Sequence, residues 1–147
     1  MKSQDISLSE QYQTDIIYLD IVARFGVRDI MEFRDMTMYF ITNAARTISY
    51  KTLSDIAGVK SVSKVKNYLK YLEQAFLLFR LVPRNYLQKV MARASYKVYA
   101  GEVSFIHAAG FHRSEDLGQR IENLAYLHLA RTNHEMYFYS GQRECVF

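Results

Sequence analysis

A single cysteine, Cys145, is too little for a disulfide within the chain or for a multi-cysteine zinc site. Its surroundings suit a small apolar residue in a strand. The four histidines, His107, His112, His128 and His134, fall at no metal-ligand spacing, and no chemistry is assigned to them. No apolar run approaches the length that crosses a bilayer, the densest being 75–79. The opening MKSQDISLSE lacks the apolar centre of a secretory signal. These absences predict a cytoplasmic chain with no membrane partner, no resident metal, no cofactor and no small-molecule substrate.

What is present is enough apolar material for a core, half of the 147 residues. That length holds one ordinary domain, or a small domain with part of another. Charge is unevenly spread. Residues 1–57 hold six Lys/Arg and eight Asp/Glu, residues 58–99 hold nine and one, and residues 100–147 hold four and six. The net +4 therefore comes from a central block of +8 between two mildly acidic flanks. A basic block of that kind is the electrostatic footprint of a nucleic-acid surface.

That block contains the stretch around which the chain is organised, ISYKTLSDIAGVKSVSKVKNYLKYLEQA at 48–75. It predicts two helices joined by a tight turn, with 55–58 closing the first and Ser61 capping the second. Val62, Val65, Leu69, Leu72 and Phe76 recur at steps of three and four, the pattern of a core-facing stripe. The opposite face carries Ser63, Lys64, Lys66, Asn67, Lys70 and Tyr71. Such a face is most often a solvated surface, but it also suits the major groove, lysines neutralising phosphates while Asn67 and Ser63 meet base edges. Strands are expected at 76–82 (FLLFRLV) and 96–99 (YKVY), the second with alternating faces, around a basic loop holding Arg84, Lys89 and Arg93. Helix-turn-helix, strand, loop and strand make a winged helix.

Upstream, Ser9 is a candidate cap for a helix over 9–25 ended by Gly26, with Ile16, Ile17, Leu19, Ile21 and Val22 facing the core. A second helix over 29–45 packs on the first and on the helix-turn-helix; its Met and aromatic positions suit core better than a cofactor box. Downstream, 100–113 is a connector with a helical turn at 103–108. A helix follows over 114–131, capped by Ser114, with Leu117, Ile121, Leu124, Leu127 and Leu129 on its apolar face. Segments 135–139 and 144–147 read as a hairpin around Ser140-Gly141. The expected architecture is α+β, mainly helical with a small β component: a winged-helix domain at 1–99, a connector at 100–113, and at 114–147 the start of a second unit cut short within its hairpin.

Taken together, segments 15–29, 48–81, 97–105, 117–131 and 137–147 resemble the C-terminal part of a widespread group of bacterial and archaeal ATP-binding proteins. In that group an AAA-type ATPase domain is followed by a winged helix and a domain related to restriction-endonuclease-like nucleases. The resemblance implies a DNA-facing module and a nuclease-like C-terminal unit. It also shows what this sequence lacks: no Gly-x-x-x-x-Gly-Lys-Ser/Thr occurs, so no nucleotide loop is expected. Gly118, Glu122 and Asn123 match the group's helix pattern, but Val146 stands where its strand acid would be, leaving Glu122 and Glu144 as an incomplete metal cage.

The functional expectation is a non-catalytic, double-stranded-DNA-binding module. Its contacts are Lys60, Ser63, Lys64, Lys66, Asn67 and Lys70 on the helix and Arg84, Lys89 and Arg93 on the wing. A protein-docking or dimerisation module is the alternative, favoured by Tyr68, Tyr71, Tyr86 and Tyr96 near the groove face. A metal-dependent nuclease stands third. The apolar C-terminal strand edge, 137–147, is expected to be covered by another copy of the chain.

Overall fold

The structure, a computed structural model, describes residues 15–56, 61–84, 95–108, 116–132, 135–139 and 145–146, with Leu8 and Gln11. The expected Ser9 and Ser114 caps lie outside the described residues, as do the turn at 57–60 and the loop at 85–94.

Helix α1 runs through Ile16–Val22, wound with π-type turns, and continues in α form as Ala23–Phe25. It stops at Gly26, whose φ of 61° is a left-handed conformation that glycine adopts without steric cost. Ile17 and Ile21 are buried, but Leu19, expected on the same face, is exposed. Helix α2 (Ile30–Thr42) buries Phe33, Met36, Thr37, Phe40 and Ile41. The one polar member is satisfied locally, Thr37 Oγ1 donating to the Phe33 carbonyl at 2.8 Å.

Strand β1 (Thr47–Ile48) follows, too short to be seen in the sequence pattern. Helices α3 (Tyr50–Ile56) and α4 (Val62–Gln74) come next, then strands β2 (Leu78–Leu81) and β3 (Tyr96–Ala100). The sheet order is β1-β3-β2, antiparallel throughout, with Ile48 opposite Tyr96 and Phe79 opposite Tyr99. β3 is therefore central, and all five of its residues are buried. The expected alternation fails because both faces are covered, one by the α1–α4 core and the other by Tyr126 and Phe138 further along the chain.

The α4-to-β2 corner is tight. Phe76 takes φ 55°, while Leu77 N–H donates to the Leu72 carbonyl at 3.0 Å and Phe76 N–H to that of Glu73 at 3.1 Å. This is a Schellman closure with phenylalanine where glycine is usual. Phe76, expected in the core stripe, is consequently exposed; Val62 at the other end of α4 is exposed as well. Glycine is needed opposite: a Cβ on Gly101 would stand 2.1 Å from the Phe76 carbonyl oxygen.

Helix α5 (Val103–Ala108) occupies the helical turn expected in the connector. Helix α6 (Asp116–Ala130) then lies against β3. Its packing face is not the leucine-rich one. Asn123 and Tyr126 are buried, whereas Leu117, Ile121 and Leu124 are 59–62% exposed and Leu129 is exposed too. Asn123 accepts from the Ala100 amide at 2.8 Å and donates to its carbonyl at 3.0 Å, and the Tyr99 and Tyr126 rings stack at 3.9 Å. The α+β class expected from the sequence is the class observed.

The C-terminal hairpin pairs β4 (Phe138–Tyr139) with β5 (Cys145–Val146). Phe138 is buried, and its backbone is held from the other side, donating to the Val82 carbonyl at 3.2 Å and accepting from the Arg84 amide at 2.9 Å. β4 thus has neighbours on both edges, so the strand expected to recruit a second copy is partly covered from within the chain.

Candidate nucleic-acid interface

Helix α4 carries the candidate interface, and its orientation follows from its buried face. Val65, Tyr68, Leu69 and Leu72 point into the core, Tyr68 meeting Phe33 edge-on at 5.0 Å. That arrangement turns Ser63, Lys66, Asn67 and Lys70 outward, and all four are exposed. Their spacing of three, one and three residues makes them one contiguous stripe of the helix surface. Lys66 Nζ sits 5.0 Å from the Tyr50 ring centroid, an aromatic contact from α3 that steadies the side chain without neutralising it.

Lys64 is a different case and corrects the expectation. Its ammonium turns back to α2, donating to the Asp29 carboxylate and lying 2.7 Å from Glu32 Oε1. The Asp29 and Glu32 carboxylates hold its pKa well above the usual lysine value. Asp29, at the start of α2, thus serves α4 rather than capping its own helix. Lys64 is compensated within the fold and does not add a free positive charge to the outward stripe.

Three of the four aromatic residues expected near the groove face are also committed internally. Tyr68 and Tyr96 are buried, and burial raises the pKa of each phenol. Tyr71 stacks on Phe25 of α1 at 4.2 Å. Tyr86 lies outside the described residues. Beside the stripe, Arg80 on β2 donates to the Tyr50 hydroxyl, lies 3.2 Å from Glu73 Oε1 and covers the Tyr96 ring. Desolvation raises the Glu73 pKa, opposed by Arg80. The sequence reading missed this cluster, whose other members lie seven to thirty residues from Arg80.

Of the remaining expected contacts, Arg84 is exposed just past β2, at the entrance to the basic loop. Lys60, Lys89 and Arg93 lie outside the described residues. Glu122, the candidate nuclease carboxylate, is partly exposed and engaged by two neighbours. Its Oε1 accepts from Lys97 Nζ at 2.7 Å and from the Tyr99 hydroxyl at 2.9 Å. Lys97 is only 3% exposed, so this carboxylate is the counter-charge of a buried ammonium. Glu144 lies outside the described residues.

A family described as Domain of unknown function (DUF8612) matches residues 1–117. The chain belongs to that family. The DUF8612 match thus takes in α1 to α5, the three-stranded sheet and the outward stripe of α4, and ends as α6 begins. Among curated proteins the chain is similar to Uncharacterized protein MJ1544 of Methanocaldococcus jannaschii, 29% identical over 126 residues. That alignment covers 83% of this DUF8612 chain and 28% of the relative, so the chain spans less than a third of the relative's length. No solved structure matches. Among the described residues no helix is long and apolar enough to cross a membrane.

Proposed function

We propose that this chain is a winged-helix module that binds double-stranded DNA through α4 and the loop between β2 and β3, without catalysis of its own. The observation that carries the reading is the exposed stripe Ser63, Lys66, Asn67 and Lys70, uncompensated on α4 while Lys64 is drawn inward. The order β1, α3, α4, β2, β3, with the sheet paired β1-β3-β2, supports it, because it presents α4 as the outermost helix of a helix-turn-helix backed by a β ladder. The nine Lys/Arg against one acid in 58–99 support it again. On this reading Lys66 and Lys70 bind phosphates with Lys60, Arg84, Lys89 and Arg93, and Asn67 and Ser63 face base edges. The resemblance to the C-terminal region of AAA-type ATP-binding proteins gives the module a setting: a cytoplasmic DNA contact serving an ATPase held elsewhere.

Anisotropy of a labelled random duplex across a salt series tests it. With about six phosphates neutralised, the log–log slope against salt is about −5. A flat response rules the reading out.

Docking is the second reading, and one observation favours it: Phe76 is 72% exposed, and the leucine-rich face of α6 also remains uncovered. Of the tyrosines that first suggested it, Tyr68 and Tyr96 are buried and Tyr71 is stacked on Phe25. For a metal-dependent nuclease, the Glu122 carboxylate is already engaged by Lys97 and Tyr99, which is poor provision for a cation.

A further inference from the structure

We propose that Glu73 withholds Arg80 from the DNA-facing surface, so that Arg80 is a further phosphate contact which becomes available when the Glu73 carboxylate is neutralised. The inference rests on the DNA-binding reading and adds a residue and a control to it.

Glu73 is the single acid in 58–99, beside nine Lys/Arg. It stands three residues after Lys70, so it continues the row of Lys66 and Lys70 by one turn of α4. A carboxylate in that place repels phosphate, and the fold answers it with a cation from β2. Arg80 Nε lies 3.2 Å from Glu73 Oε1, and Nη2 donates to Oε2 at 3.4 Å. The Arg80 and Glu73 side chains are 32% and 26% exposed, so the pair sits at the edge of the protein. An ion pair so exposed is held weakly and is open to exchange.

Arg80 is placed for that exchange. Phe79 turns to Tyr126 of α6, so the next residue emerges on the opposite side of β2, towards α3 and α4. There the guanidinium donates to the Tyr50 hydroxyl, while Lys66 Nζ lies 5.0 Å from the centroid of the same ring. One tyrosine thus joins Arg80 to the exposed stripe, and four residues further along the chain stands Arg84, at the entrance to the basic loop. Arg80 fills the interval between the helix contacts and the loop contacts. Its planar fork takes a carboxylate or a phosphate in the same way.

Mild acid brings the exchange about. Burial pushes the Glu73 carboxyl above the ordinary carboxylate value, with the Arg80 charge opposing. The groups that face it are Arg80 of β2 and the phenols of Tyr96 on β3 and Tyr126 on α6, with Tyr50 of α3 beyond Arg80 and Lys70 one turn back on α4. Burial raises the phenols of Tyr96 and Tyr126, which stay neutral in acid, and an arginine keeps its charge. Protonation of Glu73 therefore frees Arg80, and duplex binding strengthens as pH falls.

Duplex anisotropy against salt is the test, on the parent, Glu73→Gln, Arg80→Gln and Glu73→Gln/Arg80→Gln chains, at neutral pH and at about pH 5. At neutral pH Glu73→Gln is expected to bind more tightly than the parent. Its log–log slope is steeper by about 0.9, so a fourfold rise in salt costs it about 3.5-fold more affinity. Adding Arg80→Gln returns the slope to that of the parent. In acid the parent's slope approaches that of Glu73→Gln, and Arg80→Gln lacks this change, which decides the matter even where Glu73→Gln folds poorly. Histidines gain charge in all four chains alike, so the acid series is read as a difference between chains. Four chains that bind with one shared slope at each pH overturn this inference and leave the DNA reading standing. A steeper slope in Glu73→Gln that survives Arg80→Gln overturns it as well, because the added contact is then not Arg80. A parent that binds no duplex overturns both.

Discussion

The Lys64 ammonium lies 2.7 Å from the Glu32 carboxylate and also donates to Asp29, so the lysine in the first turn of α4 faces α2 rather than solvent. This contact fixes how α4 sits on the body of the protein and leaves the outward stripe to Ser63, Lys66, Asn67 and Lys70.

Replacing Lys64 by Gln is expected to act on stability. The pair is partly exposed, so its loss costs up to about 1 kcal/mol, and the cost shrinks as salt is added. Urea unfolding at low and high ionic strength measures it. A loss well beyond that range, insensitive to salt, contradicts the assignment of Lys64 as a surface brace.

Glu122→Gln is expected to be the more damaging change, because it removes a carboxylate bonded to a lysine that is 97% buried. Breaking a buried pair costs about 3–5 kcal/mol, and the partial exposure of Glu122 places this one at the lower end, about 3 kcal/mol. Lys97→Met in the same background is expected to recover part of that loss, since the buried ammonium leaves with it. A double-mutant cycle by urea unfolding checks both statements.

At the α4-to-β2 corner, Gly101→Ala is expected to destabilise by about 1–3 kcal/mol, since a Cβ cannot stand 2.1 Å from the backbone oxygen of Phe76. Phe76→Gly is expected to stabilise by about 1 kcal/mol by removing the left-handed strain of a side chain that is largely solvent-exposed. Thermal melts of the two variants should therefore move in opposite directions.

Alkaline pH should unfold the chain. Burial raises the phenols of Tyr68, Tyr96 and Tyr126 above the ordinary tyrosine value of 10.0, and the carboxylates of Asp29 and Glu32 raise Lys64 above 10.5. In every case the folded chain holds its proton more tightly than the unfolded chain. The associated stability is complete below those ordinary values and is lost as pH climbs past them toward the folded values. Denaturant midpoints should be level on this account from neutral pH to just below 10 and fall above it. A midpoint that rises there refutes the assignment.

Much of the architecture was legible because periodicity reports local structure. The buried positions Val65, Leu69 and Leu72, the Gly26 stop and the helical turn at Val103–Ala108 all follow from spacing or from one residue's backbone preference. What escaped depends on partners far along the chain. Lys64 looks like any surface lysine until Asp29, 35 residues away, is folded against it. α6 was oriented wrongly for the same reason. Its leucines suggested the core face, but the bonds of Asn123 to Ala100 and of Glu122 to Lys97 turn that face outward. Strand β1 has two residues, too few for any period to register. The outward stripe was legible except for Lys64 and Tyr71, whose inward contacts leave a narrower set.

The DNA-binding claim is tested most directly by comparing two variants on one labelled duplex at low salt. Lys66→Glu/Lys70→Glu reverses both lysines of the exposed stripe and is predicted to weaken binding at least a hundredfold, on the scale of several lost phosphate contacts. Lys64→Gln, which touches only the brace to α2, is predicted to bind within about twofold of the parent, as expected when no phosphate contact is removed. Equal losses in both, or an unchanged affinity in the double reversal, would contradict α4 as the DNA-facing helix.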